Sequence, residues 1–124
     1  MYYNLFLDDI RFPKDVTWVE LPLVKWTIVR NYKEFVYTIK INGLPNFVSF
    51  DHDLSSMHYT DVFNGSKLNY SAYTEKTGYE CAKFLVEYCI TNNLKFPNYT
   101  IHSMNPIGKQ NIISYVESYK KSLI

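Results

Sequence analysis

Three short apolar runs, each stopped abruptly by polar side chains, limit what this chain can fold into more than any other feature. Tyr3 to Leu7 (YNLFL) stops at Asp8 and Asp9, Phe47 to Phe50 (FVSF) stops at Asp51, His52 and Asp53, and Tyr99 to His102 (YTIH) leads into Ser103 and Asn105. Runs this short and apolar throughout are strands buried on both faces. A further strand is expected at about 26 to 30, after an excursion broken by Pro22.

The stretches between these runs carry helix signals. Asn31 with Glu34, and Thr77 with Glu80, are capping boxes, and Asn105 before Pro106 pairs a cap residue with proline at the first helical position. The first helix should end at Asn42-Gly43 and the second near Asn92, with Cys81, Ala82, Leu85, Val86 and Cys89 as its inner stripe. The last helix should turn Ile112, Tyr115, Val116, Tyr119 and Leu123 inward. Strand and helix then alternate, which argues for an α/β fold with a mainly parallel sheet, right-handed crossovers and helices on both faces. One domain over 1–124 is expected, with a long flap at about 54–76 where Ser, Asn, Tyr and Thr dominate without a period.

Composition excludes several classes. No run approaches the roughly 18 apolar residues of a membrane span, and the N-terminus has no basic region before its apolar one, so a cytoplasmic protein is expected. The 13 basic residues are dispersed, only Arg11 and Arg30 are arginines, and the net charge is +1, so a long nucleic acid is not the expected partner. Cys81 and Cys89 lie about two helical turns apart, too far for a bridge, and read as small buried hydrophobes.

The chemistry gathers at the strand ends. In an open parallel sheet, ligands bind beyond the carboxyl ends of the strands, and the order 2-1-3-4 would make the three polar ends neighbours. Four of six aspartates and two of three histidines lie in these ends, whereas all six glutamates lie elsewhere. Carboxylates packed in a partly dry cleft repel one another unless a cation or proton intervenes. A hard divalent ion answers that need, and a histidine ligand would tilt the choice from Mg²⁺ toward Mn²⁺ or Zn²⁺. His52 and His102 offer a metal-free alternative as general base and general acid across a phosphorus, whereas His58 in the flap reads as structural. The amides from Asn105 to Gly108 suit a phosphate oxygen, Gly108 would let a ligand approach closely, and Arg11 could fork onto a phosphate.

Four blocks carry a resemblance: L-F-L-D-D-I-R-x-P at 5–13, S-F-D-H-D-L at 49–54, G-Y-E-C-A-K-F-L at 78–85 and H-S-M-N-P-I-G at 102–108. Together they make the chain resemble the cyclic-phosphate-processing receiver-like domain. The resemblance implies a receiver-like three-layer sandwich with an acidic pocket and a role in opening cyclic phosphates on nucleotides or RNA ends, in settings such as RNA repair, nucleotide signalling and phage-host conflict. It puts Asp8, Asp9 and Asp51 where a response-regulator receiver holds its metal and phosphoacceptor, and Ser103 near the hydroxyl switch residue. No later strand carries a receiver's lysine, and the two histidines are foreign to an ordinary receiver, which together favour hydrolysis over phosphorelay.

The combined expectation is a phosphoesterase for a cyclic phosphodiester on a ribonucleotide: a 2',3'-cyclic end, an ADP-ribose cyclic phosphate or a cyclic messenger. Asp8, Asp9 and Asp51 would hold Mg²⁺ or Mn²⁺, His52 and His102 would move protons, and Asp53 would orient an imidazole. Arg11, Ser103, Asn105 and Gly108 would bind substrate. The alternatives are a sponge that sequesters a cyclic nucleotide, and a degenerate receiver used as a protein-interaction module.

Overall fold

The computed structural model describes residues 2–54 and 76–123. Its elements are β1 (Asn4–Leu7), a 3-10 turn (Pro13–Asp15), β2 (Thr27–Val29), α1 (Tyr32–Asn42), β3 (Phe47–Phe50), α2 (Gly78–Asn92), β4 (Asn98–Ile101) and α3 (Pro106–Ser122). The sheet has the order β2-β1-β3-β4, and all three pairings are parallel. The expected flap, apart from its two end residues, and His58 lie outside the described residues. No described helix is long and apolar enough to cross a membrane.

The helix ends follow the cap chemistry. Asn31 Oδ1 accepts the Glu34 N–H at 2.8 Å, Thr77 Oγ1 accepts the Tyr79 N–H at 3.2 Å, and Asn105 Oδ1 accepts the Gly108 N–H at 2.9 Å. Glu34 reaches back one residue further than a capping box requires, and its Oε1 takes the Arg30 N–H at 2.8 Å. α1 stops at Gly43, whose φ of +86° suits glycine, and α2 stops at Asn93 in the left-handed region.

One face of the sheet carries the hydrophobic core. Leu5, Leu7, Val29, Val48, Phe50 and Ile101 cluster there with Phe35 and Ile39 of α1, the Cys81–Cys89 stripe of α2, and Ile112 and Val116 of α3. Both cysteines are free and buried. Leu123, expected on the inner stripe of α3, is exposed because the helix has ended beneath it.

Strand residues alternate between faces, so Phe6 and Ser49 point to the other side of the sheet. Both are fully buried, and neither belongs to the helix-side cluster. The helices described therefore stand on one face. The third layer is the irregular segment from Asp8 to Trp26, which supplies Val16, Trp18 and Trp26 to cover the opposite face. Pro13 and Pro22 keep that segment from a continuous helix, and only the 3-10 turn forms.

Candidate functional site

Register places the polar ends. Val29, Leu7, Phe50 and Ile101 are mutual partners across the sheet. The ladder then continues one step beyond them: the Asp8 N–H donates to Val29 O at 3.1 Å, the Asp51 N–H to Leu7 O at 3.0 Å, and the His102 N–H to Phe50 O at 2.9 Å. Asp8, Asp51 and His102 thus form one row on the face opposite the helices. All three are buried, and each offers one ligand atom within 4.8 Å of the others.

The His102 ring folds back along β3. It lies parallel to Phe6, with centroids 4.5 Å apart, while Nδ1 meets Ser49 Oγ at 2.6 Å and Nε2 meets Asp8 Oδ2 at 3.0 Å. Ser49, the one small residue of its strand, leaves room for that ring. Trp18 fixes the backbone as well, since its indole N–H donates to the His102 carbonyl at 2.6 Å.

Asp8 organises the loop after β1. Its Oδ1 accepts the N–H groups of Ile10 at 3.0 Å and Arg11 at 2.7 Å, a turn closed by an aspartate side chain. Arg30, the residue after β2, clamps the same loop, with Nη1 donating to the carbonyls of Asp8 at 3.1 Å and Arg11 at 2.5 Å. Arg11 is held over the Trp18 ring at 5.1 Å, with its guanidinium 3.7 Å from Asp8 Oδ2 and 3.8 Å from Met104 Sδ.

The two buried carboxyls are driven apart electrostatically. Burial pushes Asp8 up, but the His102 hydrogen bond and the Arg11 and Ile10 N–H groups outweigh it and lower its pKa to about 2. Burial, then the charges of Asp8 and Asp9, raise Asp51 to about 7, against the His52 N–H and the charge of Arg11. Asp51 Oδ1 accepts the His52 N–H at 2.8 Å, and among the described residues Oδ2 accepts no hydrogen bond. A buried carboxylate oxygen with no donor, beside a second carboxylate and an imidazole, fits a divalent cation.

His52 and Asp53 form the rim. His52 Nδ1 meets Asp53 Oδ1 at 2.9 Å, and Asn105 Nδ2 donates to that oxygen at 3.2 Å. An ionised Asp53 only accepts, so the Nδ1 proton faces it and Nε2 is the nitrogen left for a substrate. Ser103 is buried, and its Oγ accepts the Asn105 N–H at 3.1 Å.

The expected groups thus separate into two sets. Asp8, Asp51 and His102 converge in the buried row, whereas His52, Asp53, Asn105 and Ser103 line the loops after β3 and β4. Asp9 is only partly buried and stands outside the three-ligand row, although its charge reaches Asp51. His102 has both ring nitrogens engaged and no exposed side-chain surface. That arrangement suits a positioning or ligand role better than proton exchange with a substrate.

Gly108 does allow a close approach, but the space is taken by this chain's own His52. A Cβ there would sit 2.3 Å from His52 Cγ, and the Gly108 N–H is held by the Asn105 cap. Gly108→Ala should therefore displace the imidazole from Asp53. The imidazole resonances of the variant would report the displacement directly.

The motifs assign no role to three supporting residues: Ser49, Arg30 and Trp18. Ser49 had a signal, a hydroxyl inside a strand otherwise Phe-Val-Phe. Arg30 and Trp18 act over separations of 22 and 84 residues and had none.

No curated protein and no solved structure matches the chain. The blocks that build the row and the rim, from the loop after β1 to the start of α3, fall within residues 3–118, and over that span the chain matches the family model described as the cyclic-phosphate processing receiver domain. The parallel 2-1-3-4 sheet with its acidic carboxyl edge agrees with that match, and the chain belongs to the family of cyclic-phosphate processing receiver domains.

Proposed function

We propose that this protein hydrolyses a cyclic phosphodiester on a ribonucleotide or RNA end, giving a phosphomonoester. The observation that carries the reading is the buried Asp8–Asp51–His102 donor group set beside an oriented His52–Asp53 pair on the same sheet edge. A divalent cation held by these three residues, with Asp9 nearby, would supply Lewis-acid stabilisation of charge on the phosphoryl oxygens. The imidazole among the donors favours Mn²⁺ or Zn²⁺ over Mg²⁺.

His52 Nε2 takes a proton from the attacking water. An O–P bond forms from that water, the ring P–O bond breaks, and the proton passes to the departing ribose oxygen. Asp53 holds the imidazole for this step, and Asn105 holds Asp53. Arg11, kept in place by Trp18 and Met104, offers charge to a phosphate oxygen. Ile10 and Met104, on the loops after β1 and β4, and Ile107, in the first turn of α3, are exposed, an apolar rim suited to the flat face of a base beside the phosphate.

Phosphorus NMR of 2',3'-cyclic nucleotides, cyclic RNA ends and cyclic dinucleotides, each with Mn²⁺ or with chelator, tests the reading. A monoester resonance that grows only with the ion is the expected result. Cyclic phosphate returned intact in every arm would replace hydrolysis by sequestration, or by a protein-interaction role. His52→Ala should lower turnover about 100-fold or more while leaving the fold in place, because the ring is at the rim. Undiminished turnover removes His52 from the mechanism.

A further inference from the structure

We propose that Ser49 is a positioning residue for His102, whose hydroxyl pairs Nδ1 in either direction so that Nε2 can exchange Asp8 for a divalent cation without leaving a buried nitrogen bare. The inference rests on the cation-binding reading of the Asp8–Asp51–His102 row and assigns a part in it to a residue outside that row.

The geometry fixes the hydrogen-bond directions. Asp8 Oδ1 accepts two backbone N–H groups and Oδ2 lies beside Arg11, so the group is a carboxylate and Oδ2 accepts from His102 Nε2–H. In the neutral ring Nδ1 then has no proton, and Ser49 must donate to it across 2.6 Å. A cation bound at Nε2 displaces that proton, and the neutral ring carries its hydrogen on Nδ1. The same contact must now run the other way, with Ser49 Oγ accepting.

Few side chains serve both states. A carbonyl or carboxylate only accepts, which would force a bare Nε2 against Asp8 before any ion arrived; an ammonium only donates, which would oppose the ion-bound ring. A hydroxyl does both and costs no rearrangement of the neighbours. Among the described residues only Ser49 meets Nδ1, and the ring is fully buried, stacked on Phe6, and held at its backbone by Phe50 and Trp18. A ligating histidine commonly donates its second ring N–H to a fixed partner, and in this chain that partner is Ser49.

Nitrogen NMR of the histidine-labelled protein, metal-free and with Zn²⁺, reads the hydrogen positions directly. The expected result is a proton on Nε2 of His102 without the ion and on Nδ1 with it. Calorimetry with Mn²⁺ should show Ser49→Ala binding about 10- to 100-fold more weakly than wild type, and Ser49→Thr, which keeps the hydroxyl, within about threefold of it. Wild-type protein that binds neither ion overturns the cation site and this inference together. Wild-type binding with an unchanged Ser49→Ala affinity, or with Nδ1 protonated in both states, overturns the role of Ser49 alone. Should Ser49→Ala fail to fold, the wild-type spectra still decide.

Discussion

Asp51→Asn should lower affinity for Mn²⁺ by more than about 100-fold and, in the same protein, raise the thermal midpoint of the metal-free state by about 5–10 °C at pH 8. The two effects have one cause. Asp51 is buried between Asp8, Asp9 and the sheet, and its carboxyl is pushed from 3.8 up to about 7. A carboxyl whose folded pKa lies above its unfolded one supports the fold fully below pH 3.8, and that support is lost as pH rises through 7. The loss is on the order of 4 kcal/mol by about pH 8. An asparagine never ionises, keeps the acceptor for the His52 N–H, and forfeits about 1–2 kcal/mol of that gain to its own buried amide.

At pH 5 the advantage should shrink, because wild-type Asp51 is then mostly protonated. Asp8 runs the other way: its carboxyl is lowered to about 2, so its contribution is present above pH 3.8 and is lost as pH falls through 2. Thermal unfolding in chelator at pH 5 and pH 8, with Mn²⁺ calorimetry beside it, checks the signs separately. A variant less stable than wild type at both pH values would mean that Asp51 is neutralised by something other than a missing cation. Unchanged Mn²⁺ affinity would remove Asp51 from the donor set.

Much of this site was legible because strand ends can be read locally. An apolar run halted by aspartate gives the edge residue, and Asn31, Thr77 and Asn105 announce the helices that follow. Once the order 2-1-3-4 is granted, Asp8, Asp51 and His102 must fall in one row, since parallel register aligns Leu7, Phe50 and Ile101. What a side chain does within the row is another matter. The two histidines looked equivalent in sequence, yet one ring is clasped by Ser49, Asp8 and Phe6 while the other leans on Gly108 at the rim. Those partners lie 53, 94, 96 and 56 positions away along the chain, the last of them depending on the room a missing Cβ leaves, and no local pattern encodes them. The same holds for the irregular layer between Asp8 and Trp26, where Pro13 and Pro22 rule out a long helix but do not foretell that Trp18 will reach the His102 carbonyl.

The second large effect falls on Gly78, a residue with no polar atom in its side chain and no part in the chemistry. A Cβ at Gly78 would stand 1.8 Å from the Asp51 carbonyl oxygen and 2.9 Å from His52 Cα, both backbone atoms that cannot rotate away. The Gly78 N–H also donates to His52 O at 2.8 Å, so the first turn of α2 is pressed directly onto the loop that carries Asp51 and His52. Gly78→Ala must push the helix off the sheet or drag the loop with it, at a cost of about 4 kcal/mol or more. Gly43→Ala is the comparison that gives this result meaning. Its φ of +86° strains any side chain by about 1–3 kcal/mol, but nothing lies within 4 Å of the added carbon. Gly43 closes α1 beside Tyr3, whose hydroxyl donates to its carbonyl, away from the strand edge that holds the row. Gly43→Ala should lower the unfolding midpoint while retaining Mn²⁺ affinity, whereas Gly78→Ala should lose both. Equal Mn²⁺ affinity in the two variants would mean that the position of α2 does not set the geometry of Asp51, and that the row is held by the strand ladder alone.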